Sequence, residues 1–405
     1  MPFPIQEVRA EFPAVERAGD FIFFDNAAGA QAPRAVLDAV AEHLLERNVQ
    51  RGGRYRHSLE VDAAVARARQ SVATFLNANG PDEVCFGMNA TSFIRLVSLA
   101  LGQKLGARRE FVVTELDHEA NIATWLALEE QGAEVRFWPM RDDGRLHTDD
   151  LAKLLTARTR IVACTMAANA LGTLVDIAAV ARLAHDAGAE LFVDAVHYAP
   201  HGALDVQALG CDYLVCSGYK IFGPHMGFLW GRKEALDALP VFREDFLPDV
   251  APMKFEVGTY VYENVAGMDA AIGYLEKLGR KLGADGSKRW AVVRAMDAIQ
   301  EYEMELSRTF LSAVAATGRV TIYGVGDPFL RTPTFCFNVD GRAPALVAQR
   351  LAEKGIGVRD GHMYAPRVIR RVGLPVESGA VRASLVHYNT VEEIHRFVAA
   401  LDLGR

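Results

Sequence analysis

From about residue 110 onward the sequence alternates short β-branched or aromatic runs with helical runs, and the strand-like runs are apolar at consecutive positions. FVVTE (111–115) precedes a helix predicted near 119–131, EVRFWPM (134–140) one near 148–156, and RIVACTM (160–166) one over 176–188. In the last of these, Asp176 suits the N-cap, Ile177, Val180 and Ala184 share a face, and Gly188 can close the helix. ELFVDAV (190–196), DYLVCSG (212–218) and GFLWG (227–231) follow. Strands that are apolar on both faces and separated by helices specify an α/β fold with a mostly parallel sheet covered on both sides.

Past roughly residue 280 the pattern changes. A long helical stretch near 287–316 leads to VTIYG, TFCFNVD, a helix at 344–354, IGVRDG, VRASLVHY and a last helix at 391–402, which predicts a smaller α+β domain with a mainly antiparallel sheet. With 405 residues, half of them hydrophobic, the chain has ample material for a large core. A net charge of −7 argues against a general affinity for nucleic acid or anionic membrane. The N-terminal MPFPIQEVRAEF lacks the apolar core and cleavage site of a secretory signal, and no apolar run is long enough to span a bilayer. The five cysteines (Cys85, Cys164, Cys211, Cys216 and Cys336) are odd in number, lack CxxC spacing and mostly sit in apolar strand-like runs. They are expected to be reduced and buried, in a cytoplasmic protein.

Open α/β sheets bind ligands beyond the carboxyl ends of their strands, so those ends are where chemistry is sought. No GxGxxG opens a βαβ unit, and GxxxxGK[ST], GxSxG and HExxH are absent. His197 and His201 have i, i+4 spacing, but Pro200 between them argues against a helical metal pair. Three strand ends instead carry a consistent set: Asn169 after one, Asp194 and His197 at the next, Ser217 and Lys220 at the third. A buried lysine needs a reason, since desolvating an ammonium is costly. An acid ending one strand and a lysine ending the next is what an enzyme holding pyridoxal phosphate requires, the lysine to form the Schiff base and the acid to keep the pyridine nitrogen protonated. Alone, Asp194 would read as an ordinary turn or cap. Asn89, Ala90 and Thr91 lie where a loop enters an apolar-periodic helix, whose free N–H groups can face a phosphate, though a plain N-cap explains them equally well.

The segments FFDNAAGAQAP (23–33), LDHEANIATW (116–125), AANALGT (167–173), VDAVHYAPHGALDVQALGCDYLVCSGYKIFGP (193–224), KFEVGT (254–259), GIGVRDGH (355–362) and VRASLVHYNTVEEI (381–394) resemble, in order, the class V aminotransferase group of fold-type I pyridoxal phosphate enzymes. The likeness is greatest to cysteine desulfurases and selenocysteine lyases. It implies a large cofactor domain over residues 21–280 with a mostly parallel seven-stranded sheet, and a small α+β domain over 1–20 and 281–405. It also implies a role for each matched residue. Lys220 would hold the cofactor and shuttle protons, with His118 stacked on the ring, Asp194 at the pyridine nitrogen and Asn169 near the phenolic oxygen. Ala90, Thr91 and Ser217 would hold the phosphate, with Thr259 reaching across from a second subunit, so a homodimer with a shared site is implied. Arg382 would clamp the substrate carboxylate, and Asn26, Arg359, His362 and Tyr364 would flank the amino-acid substrate.

Three departures from the family stand out. Tyr364 occupies the loop position at which desulfurases carry their nucleophilic cysteine, and no cysteine lies near it in sequence. A persulfide relay needs a mobile thiolate, so a conventional desulfurase is not expected. His197 stands where glutamine is usual and Tyr219 where histidine precedes the lysine, which should alter the cofactor's electronics and phosphate contacts while keeping its binding. The segment VFREDFLPDVAPMKFEVGT is short, leaving a mouth shaped for a larger substrate. Elimination of a β-substituent is the favoured outcome, with transamination, epimerisation and an idle cofactor-fold binding protein as alternatives. Tyr364 is expected to fill space, because an ordinary phenol titrates near pH 10.

Overall fold

The computed structural model describes residues 2–401. After a two-residue strand β1 (Ile22–Phe23), seven strands form the central sheet: β2 (Val84–Gly87), β3 (Glu110–Thr114), β4 (Glu134–Trp138), β5 (Thr159–Thr165), β6 (Glu190–Asp194), β7 (Tyr213–Ser217) and β8 (Gly227–Gly231). Their spatial order is β2-β8-β7-β6-β5-β3-β4. Strands β3 to β7 pair in parallel, while β8 runs antiparallel to both β2 and β7. The sheet is covered on both faces, as consecutive apolar residues require: Val112 points into one core with Val162 and Leu191, and Phe111 and Val113 point into the other with Trp125 and Phe192.

The helix expected over 176–188 is Ile177–Asp186, with the Asp176 carboxylate accepting from the Ala179 N–H and Gly188 at φ +72° just past its end. That expected near 119–131 is instead an α-helix, Ala120–Leu126, continued by a 3-10 turn, Ala127–Gln131. Its backbone departs from helical geometry at Asn121, whose side chain is held between Asp117 and Trp125.

The C-terminal part forms a second sheet from β9 (Val320–Tyr323), β10 (Thr334–Val339), β12 (Arg359–Gly361) and β13 (Ala380–Ser384), all antiparallel, in the order β12-β13-β10-β9. The run IGVRDG does not form one strand. Its first half, β11 (Ile356–Gly357), leaves to pair in parallel with β1. Leu306 and Phe310 of the helix Lys288–Ala315 and Ile394 and Phe397 of the helix Val391–Ala400 cover this sheet; residue 402, the end of the predicted last helix, lies outside the described residues. Ile22 and Phe24 belong to this C-terminal core, whereas Val8, Phe12 and Val15 pack into the core of the large sheet, so the chain crosses between the two near residue 20. No helix among the described residues is long and apolar enough to cross a membrane.

Candidate active site

Parallel pairing brings the carboxyl ends of β3, β5, β6 and β7 to one edge, with Thr165 beside Asp194 and Asp194 beside Val215. A cavity of about 60 Å³ opens there, lined by Ala90, Thr91, His118, Asn169, Asp194, His197, Ser217, Tyr219 and Lys220 among others. All nine were singled out from the sequence.

Lys220 closes the tight turn after β7. Gly218 begins that turn because a Cβ there would meet the Pro224 carbonyl at 2.7 Å. Lys220 is only 7% exposed, and among the described residues it makes no ion pair. Burial, with the charge of Arg382, pushes its ammonium down to about 8 against the pull of Asp194 and Asp25. Asp194 ends β6; one of its oxygens accepts from the Val196 N–H at 2.9 Å, and burial raises its pKa. His118 accepts the Ala120 N–H at Nδ1 (3.0 Å), which leaves the ring proton on Nε2. Burial and the nearby Lys220 and Arg382 hold it down at about 4, so the ring is neutral at physiological pH.

The helix Ala90–Gly102 aims its amino end into the cavity. Asn89 caps it by accepting from the Ser92 N–H at 2.8 Å, while Ala90 and Thr91 form the wall. Strand β8 passes so close that a Cβ on Gly227 would lie 2.4 Å from the Asn89 carbonyl carbon. Backbone N–H groups at a helix end of this kind can cradle an anion such as a phosphate. His197 faces the hydroxyls of Thr334 (3.0 Å) and Thr332 (3.3 Å) through Nε2, and His201 pairs separately with Glu303 at 2.7 Å. No group of three or more metal-ligating side chains forms among the described residues.

Three buried polar atoms in and beside the cavity have no partner: Asn169 Oδ1, His197 Nδ1 and Arg382 Nε. Leaving such atoms unpaired costs on the order of 1–3 kcal/mol each, so the cavity suits a ligand rich in hydrogen-bonding groups. Together with a buried lysine that makes no ion pair among the described residues, the Asp194 carboxylate and a helix end, that donor set fits pyridoxal phosphate.

Substrate-side residues are placed less simply. Arg382, paired across strands with Arg359, is 2% exposed; it donates to the Asn169 carbonyl (2.9 Å) and to Asp25 (3.0 Å). Arg359 grips the same Asp25 carboxylate at 2.8 Å. Asp25 was missed in the sequence, although it directly precedes Asn26 in FFDNAAG. Asn26 itself departs from the expected substrate role, because its amide is consumed by Phe23 O, Ser384 O, Asn389 and Tyr388, tying the N-terminal segment to the C-terminal strands. Thr259 accepts from Gln50 at 2.6 Å and does not line its own chain's cavity.

Tyr364 sits on a left-handed backbone pair, Met363 (φ +49°) and Tyr364 (φ +58°). That strained turn is held by the Asn169 amide on the Met363 carbonyl (2.7 Å), by Glu119 N–H on the Tyr364 carbonyl (2.8 Å), and by Tyr364 N–H on His362 Nδ1 (3.1 Å). The exposed phenol ring lies 5.7 Å from the His118 ring. All five cysteines are buried, and burial raises the pKa of each thiol.

The Aminotransferase class-V family profile matches residues 22–397. The chain is 36% identical to the Aminotransferase-like protein FGM3 of Gibberella zeae, across 99% of this chain and 98% of that one. It is likewise 36% identical to a cysteine desulfurase of an Enterobacter species, over 99% and 98% of the two chains. Its fold superposes with a TM-score of 0.88 on an apo cysteine desulfurase from Thermococcus onnurineus, at 28% identity over 98% of this chain and 97% of that one. The cysteine desulfurase CsdA from Escherichia coli gives 0.85, also at 28% identity, covering 99% and 98%. From its strand-end lysine and aspartate to its sheet order, the chain belongs to the class V aminotransferase family of fold-type I pyridoxal phosphate enzymes and is cysteine desulfurase-like.

Proposed function

We propose that this enzyme uses pyridoxal phosphate to eliminate the β-substituent of a sulfur-containing or related amino acid, releasing it free and not as a protein persulfide. The observation that carries the reading is Tyr364 at the desulfurase cysteine's position, with every thiol of the chain buried elsewhere. When bound, the cofactor supplies an electron sink for the substrate's α-carbon. Ala90, Thr91 and Ser217 would hold its phosphate, Asp194 its pyridine nitrogen, and Asn169 and His197 its phenolic side; the neutral His118 ring gives it a flat face.

The residues then divide the work. Lys220 Nζ, with a pKa near 8, takes the proton from Cα. The Cβ–S bond breaks with both electrons going to sulfur, and Lys220 passes its proton to that sulfur. The enamine product takes up water and yields pyruvate and ammonium, so one thiol, one pyruvate and one ammonium leave per amino acid. Arg382 and Arg359 orient the substrate carboxylate, which shares them with Asp25. The reading includes a cytoplasmic homodimer in which each copy lends Thr259 to the other's phosphate site.

Protein reconstituted with pyridoxal phosphate should release pyruvate and thiol in equal amounts from S-substituted cysteines. Keto-acid-dependent amino transfer, or loss of optical activity without pyruvate, would replace this reading with transamination or epimerisation.

A further inference from the structure

His197 lines the strand-end cavity from the loop after β6, and its two ring nitrogens stand in different surroundings. Nε2 lies 3.0 Å from the Thr334 hydroxyl and 3.3 Å from that of Thr332, while Nδ1 is buried without a partner. Counting protons decides which nitrogen carries the hydrogen. Thr332 directs its hydroxyl proton to the Gly172 carbonyl (3.4 Å). Thr334 is fully buried, and among the described residues its hydroxyl has one partner, His197 Nε2. A proton on Nε2 would leave the Thr334 O–H without an acceptor, and a buried donor left so is destabilising. Nε2 therefore accepts, and the single proton of a neutral imidazole sits on Nδ1. Burial keeps the ring neutral, helped by the charges around it: His201, whose ring stands edge-on at 5.4 Å, Lys220 after β7 and Arg382 on β13. Asp194, at the end of β6, is the acid of the same cavity wall. Asn169 spends its amide N–H on the Met363 carbonyl (2.7 Å) and leaves Oδ1, an acceptor, unpartnered.

We propose that Thr334 is a positioning residue: its hydroxyl fixes His197 as an Nδ1–H donor to the phenolic oxygen of the bound cofactor. An acceptor such as Asn169 Oδ1 does not stabilise negative charge on that oxygen, whereas an N–H held in place does. Glutamine, the usual residue at this position, carries its own donor and has no tautomer to choose. Histidine has two, and the choice is made from the C-terminal sheet. Thr334 begins β10, and two residues on Cys336 is paired across strands with Arg382 of β13, so one strand pair places both the hydroxyl behind His197 and the arginine on the substrate side. This assignment rests on the reading of the cavity as a pyridoxal phosphate site, and it holds for elimination and transamination alike.

The test follows the absorption of cofactor-loaded protein across pH and reads the midpoint of its change. A donor on the phenolic oxygen favours the deprotonated form and lowers that midpoint. Thr334→Val keeps the side chain's shape and loses the hydroxyl, and should raise the midpoint by roughly one pH unit, a tenfold change in proton affinity. Thr334→Ser should restore it. His197→Phe removes the donor at its source and should raise the midpoint at least as far, which tests the same bond if Thr334→Val does not fold. In a His197→Gln background Thr334→Val should have no effect, because the glutamine amide donates without help. An unchanged midpoint in Thr334→Val or His197→Phe with cofactor bound would overturn the proposal. An equal rise in the His197→Gln background would overturn it too, since Thr334 would then act without His197. Protein that stays colourless with added pyridoxal phosphate would instead sink the cofactor reading, and this assignment with it.

Discussion

Lys220 shows how a single side chain can be read from its neighbours in sequence and then sharpened by those in space. Its place after an apolar strand and the acid at the preceding strand end were legible, because both follow from local pattern. Its depressed pKa was not legible, since it depends on Arg382 and on complete burial. In the protein without cofactor the amine is neutral above about pH 8 and protonated below. The rate of cofactor incorporation should therefore rise as pH passes about 8 and level off beyond it; a rate still climbing towards the ordinary lysine value would show that the pocket does not depress the amine. Lys220→Ala should lose the bound-cofactor absorption altogether. Asp25 was illegible for a plain reason: its partners Arg359 and Arg382 are 334 and 357 residues away. Arg382→Lys keeps the charge but loses the planar fork, and should raise the substrate KM tenfold or more, about 1.4 kcal/mol; an unchanged KM would remove Arg382 from the substrate site.

The elements that carry the site were mostly predictable, and their pairing was not. Consecutive apolar positions locate each strand within a few residues, but nothing local in GFLWG says that β8 turns back and runs antiparallel between β2 and β7. The glycines of that strand make the consequence testable. Gly227 lets β8 pass against Asn89 and Ala90 at the start of the helix Ala90–Gly102, where a Cβ would approach backbone at 2.4 Å. Gly227→Ala should push strand and helix apart, cost about 1–3 kcal/mol of stability, and weaken cofactor binding at least tenfold, read by spectral titration at a temperature where the variant is folded. Stability lost with full cofactor affinity would mean that the cradle does not depend on this approach. The division of IGVRDG between two sheets was likewise hidden, because a strand's choice of partner is made by the distant segments β1 and β13.

At the scale of the molecule, the two-sided sheet, the second antiparallel sheet and the family follow from pattern and motif, and the comparisons cover nearly the whole chain. The groove beside the strand-end cavity does not follow from them, because it is made where the N-terminal segment, the β12 loop and the region after Lys220 meet. The cysteines bear on the whole fold: each is buried and its thiol is disfavoured as thiolate. A disulfide reagent should therefore find no reactive thiol in the native protein and five after denaturation, whereas rapid native reaction of any one would reopen a persulfide route. The most direct test of the account supplies the cofactor-loaded enzyme with L-cysteine or an S-alkyl-L-cysteine and measures pyruvate, alanine and protein-bound persulfide together. The account predicts pyruvate matched by free sulfide or thiol, with no protein persulfide; alanine formed alongside a persulfide on the chain would contradict it.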